Sequence, residues 1–545
     1  VTEARTGWPL LIAAALLLAL LQVWLRPLLP VDETRYLSVA WEMWSRGDFL
    51  VPWLNGEVYS HKPPLLFWMI HGLWVLFGVA ELPVRLLPVV LSLLALWGSA
   101  VLAGQLWPNR VHSIGPLVPW LLFGGLFWMN FYTLVQFDLL LVLAALAAWL
   151  GTVRACRNAV SGWTLVAVAI GLGLLAKGPV VLLPVLPVIL LAPWWRRAAP
   201  PGRWWPWYLG GFLALLAGTA LALAWAIPAG LAGGDAYRQA IFWGQSAGRV
   251  LSSFAHRSPW WTYLLWLPLL WLPWLAWPPL WRGLRRLSVQ DPGVRFCLAA
   301  LLPALLLFSL ISGKQGKYLL PLLPLLALLT ARALVENAAA PGVWRLRLAA
   351  GLLALFGVVL TVLPWLPALT GLPWAGERLA EVGPGWGPLL LLCAVLLWHR
   401  RPARAMTLAG AVRSTALAVW LATGVLYGGV VERLAPQVEL RPLALRLATL
   451  QQTGHALAWL GKYHGQFQFL GRLQRRVEPL ADERGLRAWL AAHPEGYLLV
   501  NYREPRPGLP AALRVQPYRS GSLVLWPARE LLRRPRHLDA LVGNA

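Results

Sequence analysis

Charge is scarce in this sequence. Only 13% of its 545 residues are Asp, Glu, Lys or Arg, while 59% are hydrophobic and the mean hydropathy is +0.61. Soluble domains carry about 25% charged residues. One soluble core cannot hide that much apolar surface, so the composition implies a polytopic membrane protein. Cysteine is nearly missing: Cys156, Cys297 and Cys393 lie in or beside apolar runs, none in a C-x-x-C pair, and imply neither a disulfide framework nor a zinc cluster. Acids are scarcer than bases, 22 against 47, for a net charge of +25. In a membrane protein that surplus reads as basic cytoplasmic loops touching anionic lipid, and not as a nucleic-acid reader. No internal repeat and no low-complexity linker stand out. Tryptophan, by contrast, is abundant at 36 residues, which fits interfacial belts and contacts to sugar or lipid.

Apolar runs that span or nearly span a bilayer lie at about 8–29, 84–106, 112–131, 136–153, 162–176, 178–195, 205–228, 259–281, 294–312, 318–335, 348–366, 386–399 and 405–430. Leu10–Leu25, with Arg5 before it, shows no convincing small-residue cleavage site and reads as an uncleaved first span. Basic clusters at Arg154/Arg157, Arg196/Arg197/Arg203, Arg282/Arg285/Arg286, Arg345/Arg347 and Arg400/Arg401/Arg404 mark cytoplasmic loops. Loops 32–62, 229–258, 313–317 and 367–385 then lie outside. Parity holds only if Pro63–Gly78 lies in the outer interface or re-enters there, without crossing. The result is 13 crossings with the N-terminus inside. Residues 1–435 form the membrane domain, with a first external loop at 30–83. Residues 436–545 form a small external α/β domain with no membrane-length apolar run. In it Leu440–Leu460 and Arg484–Ala492 read as helices, and Tyr497–Asn501 and Ser522–Trp526 as strands.

Polar groups near bilayer depth are costly and functional by default. Here they gather at the external ends of the spans: Asp32, Glu33, Arg35 and Tyr36; Tyr59, His61 and Lys62; Asp138; Lys177 in a Gly-Pro turn; Arg249, His256 and Arg257; Lys317 and Tyr318. Lys and Arg are phosphate binders, and a carboxylate among them serves as a base or steadies a cation-like sugar centre. Outside the cytoplasm an activated sugar has to arrive on a lipid carrier, so a polyprenyl-phosphate sugar is the expected donor. Each residue also has a plainer role open to it. Asp32 follows Pro30 and suits an N-cap, Lys62 suits snorkelling, Lys177 a flanking charge, and Asp138 a structural ion pair. No cofactor is called for. His61 and His256, with an acid, are the candidate ligands for a divalent metal ion, although no ligand spacing is diagnostic.

Val31-Asp32-Glu33-Thr34-Arg35-Tyr36, Gly47-Asp48-Phe49-Leu50-Val51-Pro52, Asn55-Gly56 and His61-Lys62-Pro63-Pro64-Leu65 together resemble the first periplasmic loop of the bacterial lipid A aminoarabinose transferases. These belong to the protein mannosyltransferase-like group of GT-C glycosyltransferases. Ala176-Lys177-Gly178-Pro179, Lys317-Tyr318-Leu319-Leu320-Pro321 and Gly465–Leu473 are similar to later signatures of that family. The resemblance implies a GT-C fold with 13 transmembrane helices, juxtamembrane helices and a C-terminal periplasmic domain. It implies inverting transfer of 4-amino-4-deoxy-L-arabinose from undecaprenyl phosphate to a lipid A phosphate, which confers polymyxin resistance, at the inner membrane's periplasmic face. It casts Asp32 as the key carboxylate, Lys62 and Lys177 as carrier-phosphate or site residues, and Tyr318 more weakly. The family usually has Glu before Lys-Pro-Pro, where this chain has His61.

The expected partners are therefore the lipid-linked donor, the lipid A acceptor and membrane lipids, with the chain acting as a monomer. Three other readings compete. A related GT-C transferase would move a different lipid-linked sugar to a lipid, glycan or protein. A lipid-linked-sugar transporter would set charges at the bilayer midplane, often in repeated halves. An interaction protein would dock its basic tail on anionic lipopolysaccharide and leave the polar outer loops unexplained. Donor consumption separates enzyme from flippase.

Overall fold

A computed structural model describes residues 2–196, 204–244, 258–337, 346–365, 385–399, 406–504, 512–519 and 521–533. Among them, nine segments are helical, long and apolar enough to cross a membrane. The first helices are α1 (Thr2–Leu25), α2 (Asp32–Arg46), α3 (Leu65–Phe77) and α4 (Glu81–Leu106). α2 is amphipathic, closed at its end by Gly47 in the left-handed region, φ 68°. α3 has 13 mostly apolar residues, fewer than the roughly 20 of an upright crossing.

The nine differ from the thirteen expected runs for local reasons. One segment, Ala159–Leu190, holds two of the runs. It turns back at Gly178 (φ +74°): Trp207 packs on Trp163 at 4.8 Å and donates to the Ile189 carbonyl, so both arms end at the same place. Lys177 is therefore at the tip of a hairpin. The 112–131 run is cut at Gly115 and Gly124-Gly125 into Val111–Ile114, Leu117–Phe123 and Leu126–Phe131. Pro-rich 259–281 yields Thr262–Leu270 and Pro278–Arg286 with a turn between. The run at 386–399 is a 14-residue helix.

The tail forms one five-stranded sheet. A hairpin in the first loop supplies β1 (Trp53–Leu54) and β2 (Glu57–Val58); the sheet contains β3 (Leu457–Leu460), β4 (Glu478–Leu480), β5 (Tyr497–Tyr502), β6 (Arg514–Tyr518) and β7 (Gly521–Pro527). Its order is β4-β3-β5-β7-β6, with β3 parallel to β4 and β5, and β7 antiparallel to β5 and β6. The expected helix Leu440–Leu460 is corrected: Arg441–Gln452 is helical, and Leu457–Leu460 is a central strand. Both faces of that strand are covered, which is why it shows no alternation. Ala458 and Leu460 face the core made with Leu486, Trp489 and Leu490. Leu457 and Trp459 join the core that continues into the membrane helices.

The first loop and the tail are clasped together. Asn55 (φ 57°) and Gly56 (φ 82°) make the two-residue turn between β1 and β2, a conformation Asn-Gly suits. The Asn55 side chain then donates to the Val477 carbonyl at 2.9 Å and accepts from the Val477 N–H and from Gln468. Trp74 stacks on Phe469 at 5.6 Å. Gly465 (φ +70°) lies so close to Leu54 that a Cβ there would meet it at 2.3 Å.

Candidate active site

Asp32 is the first residue of α2. Val31 is the N-cap, and no side chain caps this end, so the N-cap role does not apply to Asp32. Its carboxylate is gripped on both oxygens. Arg35, one turn on, donates to Oδ1 at 2.6 Å, and Lys317 donates to Oδ2 at 2.7 Å. Lys317 comes from the turn Gly316–Leu322, which opens a membrane segment far along the chain. Burial pushes the Asp32 carboxyl up, but Lys317, Arg35 and Lys62 outweigh it and hold it below the usual carboxylate value. Asp32 is an ionised, oriented group.

A second pair adjoins it. Asp138 opens the helix Asp138–Ala155 and accepts from Lys177 at 2.5 Å; both side chains are buried. The Tyr318 ring lies 4.6 Å from the Lys177 ammonium and ties this pair to Lys317. Lys62 sits 5.8 Å over the Phe137 ring, beside Asp138. Tyr36 packs edge-on against the same Phe137 at 5.0 Å, and burial keeps its hydroxyl protonated. Two carboxylates thus meet four cations (Arg35, Lys62, Lys177 and Lys317) at one end of the helix bundle. The surplus is positive, which suits a phosphate.

Two other candidates stand beside this cluster. Tyr59 is buried, with its ring 5.3 Å from that of His61, and His61 is exposed. Arg249, His256 and Arg257 lie outside the described residues. Among the described residues no group of three or more His, Cys, Asp or Glu is arranged to hold a metal.

Glu33 requires a correction. It is completely buried and faces away from the cluster. Its carboxylate pairs with Arg26 and accepts from the backbone N–H groups of Leu29 at 2.9 Å and Val135 at 2.8 Å. Both oxygens are occupied by the protein, so Glu33 anchors α2 where a substrate-facing carboxylate was expected. Its partner Arg26 carries no motif, and its place at the end of the first span is the one signal of it in the sequence.

Residues 61–225 match the dolichyl-phosphate-mannose-protein mannosyltransferase family. An undecaprenyl phosphate-alpha-4-amino-4-deoxy-L-arabinose arabinosyl transferase of Edwardsiella ictaluri is 30% identical over 395 residues, covering 68% of each chain. One of the same description from Pseudomonas paraeruginosa is 32% identical over 342 residues, 61% of this chain and 60% of that protein. The match thus spans about three fifths of the length of that relative. Among solved structures, ArnT from Cupriavidus metallidurans bound to undecaprenyl phosphate superposes with a TM-score of 0.74 at 18% identity, covering 95% of this chain and 98% of that one. That likeness shows the fold, which is the GT-C fold.

Proposed function

The chain belongs to the family of the bacterial undecaprenyl phosphate-aminoarabinose arabinosyl transferases, and we propose that it moves 4-amino-4-deoxy-L-arabinose from undecaprenyl phosphate to a lipid A phosphate. The observation that carries this reading is the cluster of four cations around Asp32 and Asp138. Lys62, Lys177 and Lys317 receive the carrier phosphate, while its polyprenyl chain runs between membrane helices. Tyr318 keeps Lys177 aimed at the site.

In the step itself an oxygen of the acceptor phosphate bonds to the anomeric carbon, and the bond from that carbon to the carrier oxygen breaks. The electron pair leaves with undecaprenyl phosphate, whose growing charge the lysines stabilise. The acceptor is already an anion, so no base is needed. A depressed, doubly gripped Asp32 makes a poor base. Its role is to hold Arg35 and Lys317 and to steady positive charge on the sugar. That state of Asp32 favours a phosphate acceptor over a hydroxyl. We further propose 13 crossings, residues 436–545 as a periplasmic domain, and a monomer in the bacterial inner membrane with its site on the periplasmic face.

The test is mass spectrometry of lipid A from a transferase-null host expressing the chain or its Asp32→Ala variant. A gain of one aminopentose, absent in the variant, is expected. Unchanged lipid A with folded protein in the membrane would overturn the assignment. It would favour a second reading, carried by His61 in place of the family's Glu: transfer of a different polyprenyl-linked sugar by the same fold.

Donor binding can be tested separately. Asp138→Asn combined with Lys177→Met removes the pair without leaving a buried charge. One lost charge-assisted hydrogen bond is worth about 1.5–3 kcal/mol. Undecaprenyl phosphate affinity, read by titration in detergent, should fall roughly tenfold to hundredfold.

A further inference from the structure

Beside Asp32, between the first loop and the tail domain, lies a cavity of about 170 Å³. Arg35 and His61 line it from one side, Lys462 and His464 from the other, with Tyr59 and Tyr463 as walls. The last three tail residues named here sit in the turn after β3, which Gly461 (φ +92°) and Gly465 shape. Pockets for drug-sized ligands run to about 300–1,000 Å³, so this one holds a single head group and not a lipid-linked sugar. The one acid on its lining, Glu57, is paired with Arg476 outside it at 2.8 Å. Burial, Arg35, Lys462 and Arg519 hold His464 below its usual range, with Asp32 pulling weakly the other way. The cavity is therefore electropositive, and a bound anion would relieve that.

We propose that this cavity is the subsite for the acceptor's phosphate monoester, with Lys462 and His464 of the tail domain completing a cradle begun by Arg35. Arg35 is shared: it lines the cavity and holds Asp32. A phosphate seated there lies next to the reacting centre, across Asp32 from the lysines assigned to the carrier. The tail domain thus supplies acceptor recognition. The identity of the acceptor, lipid A, rests on the reading above.

The experiment measures binding without turnover. Native mass spectrometry of the full chain in detergent would follow adducts of lipid A, of dephosphorylated lipid A and of undecaprenyl phosphate. Wild type is compared with Lys462→Ala, His464→Ala, the double variant and Lys462→Arg. The double variant should lose lipid A binding by about tenfold or more, keep undecaprenyl phosphate within about twofold, and be partly rescued by arginine at 462. Dephosphorylated lipid A should bind wild type no better than the double variant. Unchanged lipid A binding, a matching loss of undecaprenyl phosphate, or no phosphate-dependent binding to wild type would each overturn the subsite. If the variants lose lipid A but wild type transfers no aminopentose, the transferase reading falls and the subsite stands.

Discussion

Asp32→Asn is expected to lower transfer by on the order of 10²–10³-fold or more, the range seen when one preorganised electrostatic group is removed, while the protein stays folded. The side chain is one-third exposed and sits at the first position of α2, where asparagine fits without steric change. Of its two donors, Arg35 on Oδ1 and Lys317 on Oδ2, one keeps the amide oxygen as acceptor, the other meets the NH2, and both lose the charge. The measurement is turnover with saturating donor, paired with thermal unfolding in detergent. Full activity with stable expression would remove Asp32 from the mechanism. The pH dependence has a fixed sign. The folded carboxyl titrates below its ordinary range, so its ionised form persists on acidification and is lost only as pH falls through that depressed value. An acid limb of the activity profile near neutrality has to come from another group, such as the acceptor phosphate.

The adjacent acid should behave in the opposite way. Glu33→Ala leaves the Arg26 guanidinium buried with no carboxylate, and breaking one partner of a buried pair costs about 3–5 kcal/mol. Arg26 would keep only carbonyl acceptors, those of Pro27 and Thr133. We expect aggregation or a sharply lowered unfolding temperature, with lost activity following from lost structure. The double change Arg26→Met with Glu33→Leu removes both charges and should recover part of the stability, short of the cost of the Leu29 and Val135 N–H groups it leaves without an acceptor. If Glu33→Ala instead folds normally and loses only turnover, Glu33 belongs to the chemistry after all.

This contrast shows where sequence reading stops. Asp32 and Glu33 are neighbours of the same charge, and spacing alone cannot say which one faces the site. The answer depends on helix phase and on partners remote in sequence: Lys317 for one, and Arg26 and the Val135 N–H for the other. The residue types of the site were legible, because acids and cations at the ends of apolar runs are conspicuous. Their pairing was not. Lys177 announced itself through the Gly178-Pro179 turn, but its link to Asp138 depends on the hairpin folding back along the neighbouring helix. In the tail, the apolar strands read at Tyr497–Asn501 and Ser522–Trp526 correspond to Tyr497–Tyr502 and Gly521–Pro527. Glu478–Leu480 and Arg514–Tyr518 were not legible, being short or broken by proline. Lys462 and His464 gave no periodic signal, since both stand in a turn.

The clasp between the Asn55-Gly56 hairpin and the tail has a consequence for recombining this protein with its relatives. Asn55 reads Val477 and Gln468, and Gly465 is cut to fit Leu54. These residues form one structural joint split across the chain. A chimera that imports residues 436–545 alone would set a foreign surface against the native hairpin and misplace the wall beside Asp32. One that carries residues 47–60 along with the tail keeps the joint matched, so acceptor preference should travel between relatives only when both pieces move together.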